Sequence, residues 1–225
     1  MRISPNSWPS RRGSTSRRSK NAAASSRPGG SLPSRSKRCV PRRADGVAHR
    51  RTALTGVNEY PNLAEPPLPH GDSTFTLERY AAGFEKLRAR SDAYLEKSAA
   101  RPPVLLLPLG PLAEHNIRAT FAANLLASGG IEAVNPGTVT AADVAGRFRP
   151  PPPTVAVVCG TDARCGTDAS GVVESARGAG LSQIYRAGPQ KAVADVDEDG
   201  RPDDYLTAKI DAVEALSTLL TRLGA

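Results

Sequence analysis

Three stretches of this chain hold residue types that could do chemistry. In "GPLAEHNIRATFAANLLASGG", Gly110 to Gly130, one histidine, His115, lies just inside a glycine-led loop, where an imidazole could ligate a metal or a cofactor. In "DVDEDGRPDD", Asp195, Asp197, Asp199 and Gly200 match the first half of a D-x-D-x-D-G calcium loop, whose oxygens would wrap a hard cation about the glycine turn. In "CGTDARCGTD", Cys159 and Cys165 offer two thiols.

Each stretch also has a plainer reading. A calcium loop of that type needs Glu at its twelfth position, where Leu206 stands, an apolar eighth residue, where Pro202 stands, and a helix on each side. The expectation is therefore an acidic, solvated loop. Cys159 ends an apolar run and is expected to be a buried small hydrophobe, with Cys165 in the loop that follows. No His or other base lies near Cys165 in sequence, so no nucleophile is assigned, and the segment lacks the glycine spacing of a phosphate loop. Three cysteines without C-x-x-C spacing, and no Cys/His cluster of zinc type, fit a reduced, cytoplasmic setting.

The elements that would position these residues alternate regularly. The run "PVLLLPL" (103–109) is wholly apolar, as in a strand covered on both faces, and Ala113 to Ser128 has helical apolar spacing through Ile117, Phe121, Leu125 and Leu126. Gly129 and Gly130 stop that helix. Strands follow at 131–134, 154–159, 181–187 and around 205–207, separated by helices near 141–148 and 170–177 and closed by a helix over 211–223. Alternation of this kind predicts an α/β fold, a flavodoxin-like doubly wound sheet of five parallel strands, with ligands expected at the carboxyl edge. Upstream, Leu77, Tyr80, Phe84, Leu87 and Tyr94 or Leu95 predict a linker helix over 75–97, capped by Ser73 or Thr74 and in need of a partner surface. Its apolar residues and those of the linker are expected to pack on neighbouring chain.

Charge divides the molecule. Met1 to Arg51 holds 14 Lys/Arg against one acid, Asp45, leaving 16 bases against 21 acids in the remainder, so the formal +8 averages a basic leader and an acidic globular part. The leader is Ser, Arg, Pro and Gly with almost no aliphatic residues, which cannot offset a chain entropy of roughly 1–2 kcal/mol per residue. It is expected to be disordered. A nucleic-acid-binding tail and an organelle transit peptide are the functional alternatives, but Trp8 alone is available for base stacking and no periodic Arg-rich helix is present. No run of about 18 apolar residues predicts a membrane span.

"TGVNEYPNL", "GFEKLRARSD" and "LGPLAEHNIRATFAANLLASGGIEA" carry a family likeness. From about Val47 onward the chain resembles the C-terminal part of the small (beta) subunit of bacterial methylmalonyl-CoA mutase. The resemblance implies a coenzyme-A-binding TIM barrel first, closed by a stretch like "TGVNEYPNL", then a linker and a flavodoxin-like cobalamin-binding domain. On that basis the chain divides into a leader (1–46), a barrel-end remnant with linker and helix (47–101) and a cobalamin-binding-like α/β domain (102–225). The barrel is missing, so the expectation is a fragment from a truncated or frameshifted reading frame.

The resemblance also tests His115. Cobalamin-binding members of the superfamily carry D-x-H-x-x-G after the first strand, with the histidine on cobalt and the aspartate behind it. With His115 on the ligand, the Asp position is Ala113 and the Gly position is Arg118; counting from Gly110 instead puts Glu114 on the ligand. An S-x-L signature would fall near Cys159-Gly160-Thr161, and the paired glycines correspond at best to Gly188. No catalytic, cofactor-binding or metal-binding residue is therefore assigned, and no cofactor is expected on this chain, adenosylcobalamin belonging to the intact family enzyme. The function implied is that of a non-cofactor-binding structural partner, joined to the large subunit in a heterodimer that interconverts (R)-methylmalonyl-CoA and succinyl-CoA. The alternatives are residual cobalamin binding alongside a separately encoded barrel, and a basic-tailed nucleic-acid module.

Overall fold

A computed structural model of the chain describes residues 34–66, 79–147, 154–194 and 196–225. Five strands, β1 (Pro103–Pro108), β2 (Glu132–Val134), β3 (Val155–Cys159), β4 (Gln183–Ala187) and β5 (Asp204–Leu206), form one sheet in the order β2-β1-β3-β4-β5, every neighbour parallel. This is the flavodoxin-like order expected from the alternation of apolar runs and helices.

Period-two alternation sorts the strand side chains into two cores. Val104, Leu106, Val155, Val157 and Tyr185 face one side, where α2 (Ala82–Ser98), α3 (Leu112–Ser128) and α6 (Ala212–Arg222) cover them. Leu105, Leu107, Ala156, Val158 and Ile184 face the other, under α4 (Ala141–Arg147) and α5 (Asp162–Gly178). Each fully buried Leu or Ile contributes about 1.5–3 kcal/mol by leaving water, so a sheet apolar on both faces holds only if both are covered.

Several boundaries differ from the sequence reading. The segment read as a loop after Cys159 is the start of α5: Thr161 caps it, its side chain accepting from Arg164 N at 3.2 Å, with Asp162 in the first turn. Two glycines, Gly166 and Gly171, concealed the helix by lowering its propensity. The linker helix begins at Ala82; Ser73, Thr74 and Leu77 lie outside the described residues. Its partner is the chain's own core, since Phe84 and Leu87 are buried there, and Arg90 donates to Ser217 Oγ (2.9 Å), Thr221 Oγ1 (2.9 Å) and Ala225 O (2.7 Å). Ile117, expected on the core side of α3, is 79% exposed.

Residues 1–33 of the basic leader lie outside the described residues, whereas Ser34–Ala48, expected without order as far as 46, form α1. The cause is not local. Val47 is buried, and the side chain of buried Asn58 donates to Val47 O (3.0 Å) and Thr52 O (2.9 Å) while accepting from Leu54 N (2.7 Å). One amide thus ties the end of α1 to the loop that follows it. Asn58→Ala leaves three backbone groups without their partner, one of them buried, and is expected to lower stability by about 1–3 kcal/mol, read as a shift of the urea midpoint at unchanged slope.

Candidate functional site

The carboxyl ends of β1, β3 and β4 deliver three loops to one edge of the sheet, the place where folds of this order bind ligands. Gly110 turns the chain from β1 into α3 at φ 72°. A Cβ there would lie 2.8 Å from Arg164 Nε and 2.9 Å from Glu114 Oε2, so the glycine both makes the turn and leaves room for an ion pair.

That pair closes the edge. Glu114, in the first turn of α3, accepts from Arg164 Nε at 2.6 Å and Arg164 Nη2 at 3.1 Å, a two-pronged bond between α3 and α5. Arg164 also meets Asp168 at 3.2 Å, one turn along α5. The hydrogen bonds from Arg164 hold the Glu114 carboxyl below its usual range, and the same bonds raise Arg164. Beneath this pair, Arg186 projects from β4 with a side chain wholly removed from solvent. Its Nη2 donates to Asp162 Oδ1 at 2.7 Å, its Nη1 donates to Pro189 O, and its Nε has no partner. Arg118 of α3 reaches the same Asp162 oxygen at 3.5 Å.

His115 lies beside this network without joining it. It is 5% exposed, and its Nδ1 is 3.0 Å from Gly110 O. A carbonyl oxygen only accepts, so Nδ1 is the donor of this bond. Among the described residues the partner of the ring is this backbone oxygen and not a carboxylate; Ala113 is exposed, and Arg118, in the place of the signature's glycine, is turned to Asp162. Thr138 Oγ1 donates to the same Gly110 oxygen at 3.0 Å.

The other two candidate stretches separate from this edge. Asp195 lies outside the described residues; Asp197 precedes a short 3-10 turn, Glu198–Gly200, and with Asp199 is exposed. The carbonyl oxygens of that turn are already engaged: Arg177 Nη1 donates to Glu198 O (3.2 Å) and to Asp199 O, and Arg177 Nη2 meets Asp203 at 2.8 Å. Gly200 is needed for close approach, because a Cβ would come within 2.1 Å of Ser170 Oγ. Leu206 is buried in β5, and no group of three His, Cys, Asp or Glu among the described residues could hold a metal. Both cysteines are buried free thiols. Burial, with Cys165 nearby, pushes the Cys159 thiol up to about 12; burial also pushes Cys165 up, opposed by Arg186. Cys165, read from sequence as a loop residue, is on the first turn of α5.

Arg164, Asp162 and Arg186 escaped the sequence reading. Two signals for them were present: the Thr161-Asp162 helix start, with Arg164 and Asp168 at i, i+4 behind it, and an arginine inside the apolar strand "QIYRA".

No family model matches the chain. It is 63% identical over 188 residues, 83% of its length, to a protein of Mycobacterium tuberculosis (strain H37Rv) named as a probable methylmalonyl-CoA mutase small subunit. To the methylmalonyl-CoA mutase small subunit of Streptomyces virginiae it is 38% identical over 185 residues, and to that of Propionibacterium freudenreichii subsp. shermanii 26% identical over 195. The chain is a homologue of methylmalonyl-CoA mutase small subunits. It spans 30%, 29% and 30% of the length of these three relatives.

The site supports two expectations. Glu114→Gln removes the charge that faces Arg164. Because the folded carboxyl lies below its ordinary value of 4.5, the parent's advantage over this variant is full above that pH and is lost as pH falls through the lowered value. Urea midpoints of both proteins at neutral pH and near pH 3 would converge only at the acid end. Thiol titration forms the second: in a Cys39→Ser background, Cys159 and Cys165 are expected to resist a disulfide reagent at pH 8 until denaturant is added, when two thiols react.

Proposed function

We propose that this chain is the C-terminal α/β part of a methylmalonyl-CoA mutase small subunit, a structural partner that holds no corrinoid. Its counterpart would be a larger catalytic subunit, which carries out the isomerisation of (R)-methylmalonyl-CoA and succinyl-CoA. The observation that supports this reading best is the closure of the sheet's carboxyl edge by the chain's own side chains.

Ligation of cobalt by a histidine calls for an open imidazole nitrogen, an anionic partner on the other nitrogen to raise its basicity, and a channel for the displaced nucleotide tail. His115 has a neutral backbone oxygen as its partner and is itself buried. The Glu114–Arg164 bond spans α3 and α5, and Arg186 with Asp162 fills the space between β4 and α5. Opening that space would leave the buried guanidinium of Arg186 without the carboxylate of Asp162, which is unfavourable because a buried charge needs its partner. These residues do not fit a histidine-ligated corrinoid.

The remaining alternatives have less to stand on. The nucleic-acid reading depends on the basic leader, 1–46, of which residues 1–33 lie outside the described residues. Among the described residues no helix is long and apolar enough to cross a membrane.

Titrating the full chain with adenosylcobalamin tests the proposal. The absorption spectrum is expected to stay that of the free, base-on cofactor up to a large excess of protein. A shift to the base-off, histidine-bound spectrum that disappears in His115→Ala would overturn it.

A further inference from the structure

The outward face of α3 differs from an ordinary solvated helix surface. Three of the largest exposed apolar side chains are on or beside it: Leu112 at 67%, Ile117 at 79% and Tyr60 at 73% exposed. Ala113, Asn116 and Thr120, the exposed positions between them, are uncharged. The two formally charged residues of α3, Glu114 and Arg118, are both turned to α5, where Arg164 and Asp162 bind them. By contrast, α2 carries seven charged residues in the same helix length, as a face in water does.

Ile117, Thr120, Phe121 and Asn124 follow one another at helical spacing, and the last three line a socket. Ile117 stands one turn before Thr120 and Phe121, and Tyr60 is joined to the same helix by its N–H, which donates to Asn124 Oδ1 at 2.7 Å. Between Tyr60, Thr120, Phe121 and Ile210 lies a hollow of about 320 Å³. The two charges in its wall, Arg50 and Glu59, are paired with each other at 2.8 Å, and Asn124 Nδ2 binds the second Glu59 oxygen at 2.6 Å. Side chains of this size expose on the order of a few hundred Å² together, the scale at which apolar surface marks an interaction site.

We propose that this face of α3, with Tyr60 and the hollow beside it, is a docking surface, and that its occupant is the part of the small-subunit chain that this sequence does not span. The inference rests on the family reading above and adds the surface to it. More than two thirds of the mycobacterial relative's length lies outside the match, so a large body of chain is available to cover it. The uncharged, aliphatic and aromatic character of the face calls for an apolar protein surface, with a side chain seated in the hollow as the anchor.

The test uses two proteins in a Cys39→Ser background: the full chain, and the full-length Mycobacterium tuberculosis relative with its matched stretch replaced by the corresponding residues of this chain. Ile117→Cys is placed in each, and Ala93→Cys, on the exposed face of α2, serves as the control. The thiol at position 117 is expected to react at least tenfold more slowly in the long protein than in the isolated chain, with position 93 equally fast in both. Equal rates at position 117 would overturn the proposal. So would slowing in the isolated chain that grows with its concentration, which would make a second copy the occupant. The readout is accessibility without any corrinoid, so its failure is distinguishable from failure of the cofactor reading.

Discussion

An all-parallel sheet has no face that can meet water, and the rest of this molecule follows from that requirement. Every residue of β3 is buried, and the central strands present Leu, Val, Ile and Ala to both sides. Helices must therefore lie on both faces, and each crossover must return the chain to the same end of the sheet. The loops that leave the strands converge on one edge as a result, whatever residues they carry. What this edge can do is then a matter of which side chains the loops deliver.

In this chain ion pairs cross that edge. Glu114 and Arg164 bridge the two helices that flank the switch between β1 and β3, and Gly110 leaves them the room. Below them a buried arginine shares one carboxylate with Arg118. Charge-assisted, two-pronged bonds of this kind are short and directional. The same pairing removes Glu114 and Arg118 from the solvent side of α3. Closing the edge and leaving the helix face uncharged are thus two consequences of one arrangement.

The segment before the sheet belongs to the same body. Val47, Phe84 and Leu87 enter the core under α3 and α6, and the side chain of Asn58 ties three separated backbone groups together. Reading 47–101 as a barrel-end remnant, linker and helix in need of a partner surface left that surface unnamed, because the contacts that hold the helix are long-range. Arg90 alone reaches four groups at or beyond position 217.

The sequence by itself determined the sheet. Continuous apolar runs at 103–109 and 154–159, and apolar residues at helical spacing between strands, are local properties, and periodicity reports them directly. It also carried the family likeness and the departures at Ala113 and Arg118. The tertiary structure alone decided the partners. Glu114 and Arg164 are 50 positions apart, and Asp162 and Arg186 are 24 apart on different elements. Ile117 and Leu125 are two four-residue steps apart, which turns one about 80° from the other round the helix, so Leu125 is buried and Ile117 is exposed. His115 was left unassigned from the sequence, because Ala113 and Arg118 stand at the signature's Asp and Gly positions. Only the fold shows that its Nδ1 lies 3.0 Å from Gly110 O of its own loop and that the side chain is buried.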